Sequence, residues 1–256
     1  MPAQQHQLDL LVVGLARSGT TLLTNLLTNP TERRICLAEP RLTTRRAYRP
    51  EKQTYFRDLG FPDPITTASI PEHLFTQERA GIKEVRAKHI TAAIKRYDPK
   101  RILLVTRDAR AALASYHEKN QRSDSNRKAF PAKLFLRTAP LLLRLLDQEQ
   151  HRLTVIRYED FVTNPDARDD LAATLDWPLD GALDRFKSLS RGNETAKHDN
   201  TISTKSVNRP APTDPKVLNT LTPILNKLAN YQSAFGYPNT WDERSESQDC
   251  PTPIHA

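Results

Sequence analysis

The run Leu10-Leu11-Val12-Val13-Gly14-Leu15-Ala16-Arg17-Ser18-Gly19-Thr20-Thr21-Leu22-Leu23 constrains this chain more than any other stretch. Its apolar opening, closed by Gly14, reads as a buried strand, and Leu22, Leu23, Leu26 and Leu27 recur at the spacing of one helical face. Strand, tight loop and helix therefore follow one another. Gly14 and Gly19 permit backbone conformations closed to other residues, so the loop can wrap and turn successive amides toward an anion. The hydroxyls of Ser18, Thr20 and Thr21 and the planar guanidinium of Arg17 add further donors. The stretch reads as a phosphate cradle.

The spacing narrows the choice of phosphate. A nucleoside-triphosphate loop reads G-x-x-x-x-G-K-[ST], with the lysine on the β- and γ-phosphates and the last hydroxyl on magnesium. Here Gly14, Gly19 and Thr21 keep their places, but Thr20 stands where that lysine belongs. The Arg17-to-Leu23 run instead resembles the 5′-phosphosulfate loop of sulfotransferases, which use 3′-phosphoadenosine 5′-phosphosulfate and need no metal. That resemblance implies that Arg17, Ser18, Gly19, Thr20 and Thr21 bind the donor.

Further along, Arg34–Leu37, Gly81–Val85, Arg101–Arg107 and Leu153–Tyr158 read as short apolar strands, with helical patterns between them. Helices are expected through Ile90, Ile94 and Tyr97, after Asp108 as cap, and after Asn164-Pro165. This alternation predicts an α/β fold: a three-layer α/β/α, P-loop-like arrangement around a central, mainly parallel sheet. Pro140 is expected to interrupt a helix over Leu134–Leu146, and Pro223 to kink one final helix from Lys216 to Ala234. Residues 41–63 show no clear period and read as a surface excursion, 118–131 as a mobile segment, and 190–215 as polar and irregular. One domain over residues 1–238 is expected, with a disordered tail over 239–256.

Composition limits the partners. Lys and Arg number 38 against 30 Asp and Glu, a formal charge of +8 that suits an anionic ligand. Only 7% of residues are aromatic and the scattered arginines have no interleaved aromatic ladder, which argues against a nucleic-acid stacking platform. Residues Met1–Gln7 lack a basic flank and the apolar run behind them is too short to span a bilayer, so no signal peptide or membrane span is expected. Cys36 and Cys250 form neither a disulfide framework nor a metal set; Cys36 reads as a small core residue, and a cytoplasmic location is expected.

A second anion site is legible where Arg107 ends a strand and Ser115 lies two turns into the following helix, so that both can face one oxyanion at the carboxyl edge of a sheet. Sulfotransferases hold the donor's 3′-phosphate with an arginine and serine spaced as these are, although Ala109 replaces the proline usual in that run. Arg157-Tyr158-Glu159-Asp160-Phe161 is similar to the family's Tyr-Glu-Asp-Leu segment, which implies that Tyr158 contacts the adenine and leaves Glu159 a structural partner.

The resemblance also supplies catalytic candidates. Arg17 would stabilise the transferring group electrostatically, since a guanidinium stays protonated. Lys83 would touch the sulfuryl oxygens. The histidine that cytosolic relatives place two residues after that lysine is Val85 here. Tyrosylprotein sulfotransferases use a glutamate some way beyond the loop arginine, which points to Glu39 as base, with His89, His117 and His198 in reserve. Lys205 and Arg209 are the candidates for a late loop reaching the donor. The acceptor, a small molecule, saccharide or peptide carrying a hydroxyl or amine, has no motif, and neither has the oligomeric state. Two other readings are a nucleotide kinase and a non-catalytic nucleotide- or polyanion-binding protein.

Overall fold

The computed structural model describes residues 6–42, 47–122, 130–182, 202, 204, 207 and 211–241. The strands are β1 (Leu10–Gly14), β2 (Arg34–Ala38), β3 (Arg79–Glu84), β4 (Arg101–Thr106) and β5 (Leu153–Arg157). They form a five-stranded sheet in the order β2-β3-β1-β4-β5, and every pairing is parallel. Along β1 the side chains alternate between two apolar cores. Leu11 and Val13 join Ile82 and Leu104 on one face, and Leu10 and Val12 join Cys36, Leu103 and Val105 on the other. Because both faces are covered at the centre of the sheet, β1 and the middle of β4 read as continuous apolar runs, whereas the edge strand β5 is only half-buried.

Helices close each face. Helix α1 (Thr20–Leu26), α7 (Tyr158–Thr163) and α8 (Pro165–Leu175) cover the second core with Leu23, Phe161 and Leu171. The first core is covered by α2 (Pro50–Asp58), α3 (Ser69–Leu74), α4 (Ala87–Tyr97), α5 (Ala109–Arg122), α6 (Ala132–Gln148), α9 (Pro215–Asn226) and α10 (Ala229–Ala234). The result is the three-layer α/β/α architecture. From β1 the chain runs to β2 and back to β3 on one side, then crosses to β4 on the other. The crevice outside the carboxyl end of β1 is thus a topological switch point, where open parallel sheets bind ligands.

Several expectations need correction. Residues 41–63 are not only a surface excursion: α2 buries Tyr55 and Phe56 completely. Its apolar residues are too few among charges to show a helical period. Helix α6 runs unbroken through Pro140, whose place on the exposed face lets water take the carbonyl bond that proline forfeits. The last helical stretch is two helices, parting at Lys227-Leu228, with Pro223 inside the first. Tyr158 opens α7 instead of ending β5. Trp241 Nε1 donates to Thr222 Oγ1 at 3.1 Å, while residues 242–256 of the expected tail, together with 123–129, 183–201 and most of 202–210, lie outside the described residues. Among the described residues no helix is long and apolar enough to cross a membrane.

The Tyr55 hydroxyl accepts the Ala38 N–H at 3.0 Å in the interior. Tyr55→Phe leaves that buried donor unsatisfied and is expected to cost about 1–3 kcal/mol in urea denaturation. Wild-type stability in this variant would contradict the packing of α2 on β2.

Candidate active site

The loop after β1 is drawn tight by close approach and by backbone sign. A Cβ on Gly14 would lie 2.5 Å from Ser18 Oγ and 2.6 Å from the Val105 carbonyl oxygen. Arg17 (φ 72°) and Gly19 (φ 86°) both take the left-handed region, which costs a non-glycine residue such as Arg17 about 1 kcal/mol or more. The turn thereby encloses Ser18, which is fully buried. Its Oγ has no hydrogen-bond partner among the described residues. Buried hydroxyls are ordinarily bonded, so this one is a donor waiting for an acceptor.

The sequence candidates around the loop converge on it. Arg17 is exposed, and its Nε donates to Ser115 Oγ at 3.1 Å. Arg107 is buried; its Nη1 donates to the Arg17 carbonyl at 2.7 Å, and its guanidinium sits 4.4 Å from the Tyr158 ring centroid. Tyr158 in turn lies so close to Gly19 that a Cβ there would be 2.1 Å from its ring. The carboxyl ends of β1, β4 and β5 are therefore tied through one guanidinium and one aromatic ring, with a cation–π contact of about 1–2 kcal/mol between them.

On the other side of β1 the sheet presents Lys83. It is 2% exposed, and its Nζ donates to Glu39 Oε1 at 2.9 Å and to Thr21 Oγ1 at 3.3 Å. Thr21 is exposed at the start of α1. Glu39 follows β2 with φ 46°, and Arg41 with φ 52°. This strained turn is pinned from every side. The Glu39 N–H bonds the Lys83 carbonyl at 2.7 Å, the Arg41 N–H bonds Glu84 Oε1 at 2.9 Å, Tyr48 donates to the Pro40 carbonyl, and Lys52 Nζ donates to the Ala38 carbonyl.

These charges shift one another. Burial works to raise the Glu39 carboxyl, but the Lys83 ammonium and its hydrogen bond, aided by Lys52 and Arg41, outweigh it and hold the group at about 2. Burial, reinforced by the Glu39 charge, pushes Glu84 up to about 7. Burial pulls Lys52 down to about 7 against the pull of Glu39. Glu84 Oε2 is buried without a hydrogen-bond partner among the described residues. Glu84 and Lys52 were not among the sequence candidates. The available signal for Glu84 was a second charged residue beside Lys83 at the end of an apolar strand; Lys52 had none.

Of the remaining candidates, His89 lies within electrostatic reach of the Glu39–Arg41 turn. His89 is buried and drawn down to about 4, first by burial and then by Lys88, Arg41 and Arg86. His117 stacks on Phe130 with centroids 6.3 Å apart. Glu159 is taken up by Tyr237, whose hydroxyl donates at 2.8 Å, and by the Asp108 N–H at 3.2 Å. His198, Lys205 and Arg209 lie outside the described residues.

The fold is similar to two solved sulfotransferase domains. One is the sulfotransferase domain from the curacin biosynthetic pathway, with a TM-score of 0.59 and 15% identity, covering 92% of this chain and 99% of that one. The other is the sulfotransferase domain from the Synechococcus PCC 7002 olefin synthase, with a TM-score of 0.55 and 14% identity, covering 93% and 98%. No protein-family model matches the chain, and no curated protein sequence matches it. At these identities the likeness is one of fold, and it spans nearly the whole of both chains.

Glu84 provides a pH test of the cluster. Its raised carboxyl, facing the charges of Glu39, Lys83, Lys52 and Arg41, keeps a proton in the folded state that the unfolded chain releases near the ordinary value of 4.5. Its contribution is fully present below that value and is lost as pH rises through about 7. Glu84→Gln keeps an oxygen for the Arg41 N–H and removes the titration. Its stability relative to wild type, from urea midpoints, should rise between pH 5 and pH 7.5; a constant difference would contradict the assignment.

Proposed function

We propose that this protein is a sulfotransferase that moves the sulfuryl group of 3′-phosphoadenosine 5′-phosphosulfate to a hydroxyl or amine of its acceptor. The observation that carries this reading is the buried, unpartnered Ser18 hydroxyl inside a loop flanked by Arg107 and Ser115 on one side and Lys83 and Glu39 on the other. The fold likeness to sulfotransferase domains supports it. In this reading the loop residues Arg17, Ser18, Gly19, Thr20 and Thr21 hold the 5′-phosphosulfate, Arg107 and Ser115 the 3′-phosphate, and Tyr158 the adenine. Lys205 and Arg209, outside the described residues, are the candidates for a late loop reaching the donor. The cations Arg17, Lys83 and Arg107 supply the charge neutralisation that a metal gives in phosphoryl transfer.

Chemistry follows from the Lys83–Glu39 pair. An ammonium has three N–H groups, so Lys83 can keep Thr21 and Glu39 while donating to a sulfuryl oxygen. The negative charge of that group offsets the ammonium that depresses Glu39, and the carboxylate becomes a stronger base as the donor binds. Glu39 takes the acceptor proton, the acceptor oxygen or nitrogen bonds to sulfur, and the sulfur–oxygen bond to the 5′-phosphate breaks. Arg17 and Lys83 meet the charge on the departing 3′-phosphoadenosine 5′-phosphate. Arg17 assists as a fixed cation, never as a proton donor.

The test is release of 3′-phosphoadenosine 5′-phosphate on a panel of phenols, alcohols, saccharides and peptides. Arg17→Ala is expected to lower turnover by about 100-fold or more, equivalent to ~3 kcal/mol. Glu39→Gln should bind the nucleotide product as wild type does and transfer nothing. Unchanged turnover in Arg17→Ala, or an active Glu39→Gln enzyme, overturns these roles.

A further inference from the structure

We infer that α10, close to the end of the described chain, positions Arg107 through Tyr231 and Gln232 and so sets discrimination for the donor's 3′-phosphate. This rests on the donor reading given above.

Strand β4 ends at Thr106 and α5 begins at Ala109. The N–H groups of Arg107, Asp108 and Ala109 therefore have neither a sheet ladder nor a preceding helical turn to receive them, and in the interior each needs a partner. Side chains far away in sequence provide every one. The Arg107 N–H reaches the Tyr231 hydroxyl at 3.3 Å, and that hydroxyl also faces the Arg107 carbonyl at 3.4 Å. The Asp108 N–H bonds Glu159 Oε1 at 3.2 Å. The Ala109 N–H bonds Gln232 Oε1 at 2.8 Å.

Gln232 is fully buried, a costly place for an amide unless its groups are all bonded. Its Nε2 donates to Asp108 Oδ1 at 3.0 Å and to the Pro238 carbonyl at 2.6 Å. One amide thus fixes the turn and the start of the C-terminal segment together. Tyr237, one residue before that proline, bonds Glu159 at 2.8 Å, the same carboxylate that receives Asp108. The Arg107 side chain is held at its head by the Arg17 carbonyl and the Tyr158 ring. Its backbone is held by α10. A shift of the backbone moves a guanidinium whose other end is fixed, and a bidentate phosphate contact depends on that geometry.

In the reading proposed the 3′-phosphate contacts Arg107 directly, whereas the adenosine 5′-phosphate part reaches it only through its neighbours Arg17 and Tyr158, so the preference between the two ligands isolates the 3′-phosphate effect. Calorimetric titration is run with 3′-phosphoadenosine 5′-phosphate and with adenosine 5′-monophosphate on wild type, Tyr231→Phe and Gln232→Met. Phe keeps the ring packing and Met the volume, and thermal unfolding confirms that each variant is folded. The wild type should prefer the bisphosphate. Gln232→Met should lose about tenfold of that preference, the scale of one buried hydrogen bond, and Tyr231→Phe a smaller factor, with affinity for the monophosphate falling by less than that for the bisphosphate in both. Equal weakening of both nucleotides, or an unchanged preference, overturns the positioning role while leaving the donor reading intact. No preference for the bisphosphate in wild type overturns the donor reading itself.

Discussion

Lys83 is a charge that the fold has taken out of water, and much of the site is arranged to meet it. An ammonium 2% exposed is tolerated only when paired and hydrogen-bonded. Glu39 and Thr21 satisfy that need, and they come from the ends of different segments, the turn after β2 and the start of α1. The parallel sheet makes this possible, since it brings the carboxyl ends of all its strands to one edge. A single buried cation on β3 thus connects the anion loop to the carboxylate. Substitution of Lys83 by a neutral residue would release both.

The opposite half of the edge is held by the Arg107 guanidinium in the same manner, against the loop carbonyl and the Tyr158 ring. Between the two, the backbone is strained: Arg17, Glu39 and Arg41 all occupy the left-handed region without being glycine. Such conformations persist only where surrounding bonds over-determine them. Here the Glu39 turn is fixed by Lys83, Glu84, Tyr48 and Lys52, and the Arg107 turn by Tyr231, Gln232 and Glu159. Three of the left-handed residues and the buried Lys83 and Arg107 share this edge of the sheet, where anion binding can draw on a preorganised set of donors.

What could be read in the sequence was what is local. The β1–loop–α1 unit announces itself by an apolar run and glycine spacing, and Arg107 with Ser115 by strand-end and helical positions. The central strands β1 and β4 were legible because a sheet covered on both faces requires apolar residues at consecutive positions. Helix α2 was not, since Tyr55 and Phe56 are its core contribution among charged neighbours. Pro140 reads as a break and Pro223 as a kink, and each sits on an exposed helix face. The contact of Tyr158 with Gly19 and the roles of Lys52, Glu84, Tyr231 and Gln232 arise from long-range packing, and a buried glutamate or glutamine carries no sign of its burial in the residues beside it.

The most direct measurement of the central claim is calorimetric titration of 3′-phosphoadenosine 5′-phosphate, beside ADP and magnesium-ATP, on wild type and Arg107→Ala. The account predicts tight binding of the bisphosphate without metal, lost with Arg107 and absent for ADP. Equal or tighter binding of magnesium-ATP would contradict it and return the loop to phosphoryl-transfer chemistry.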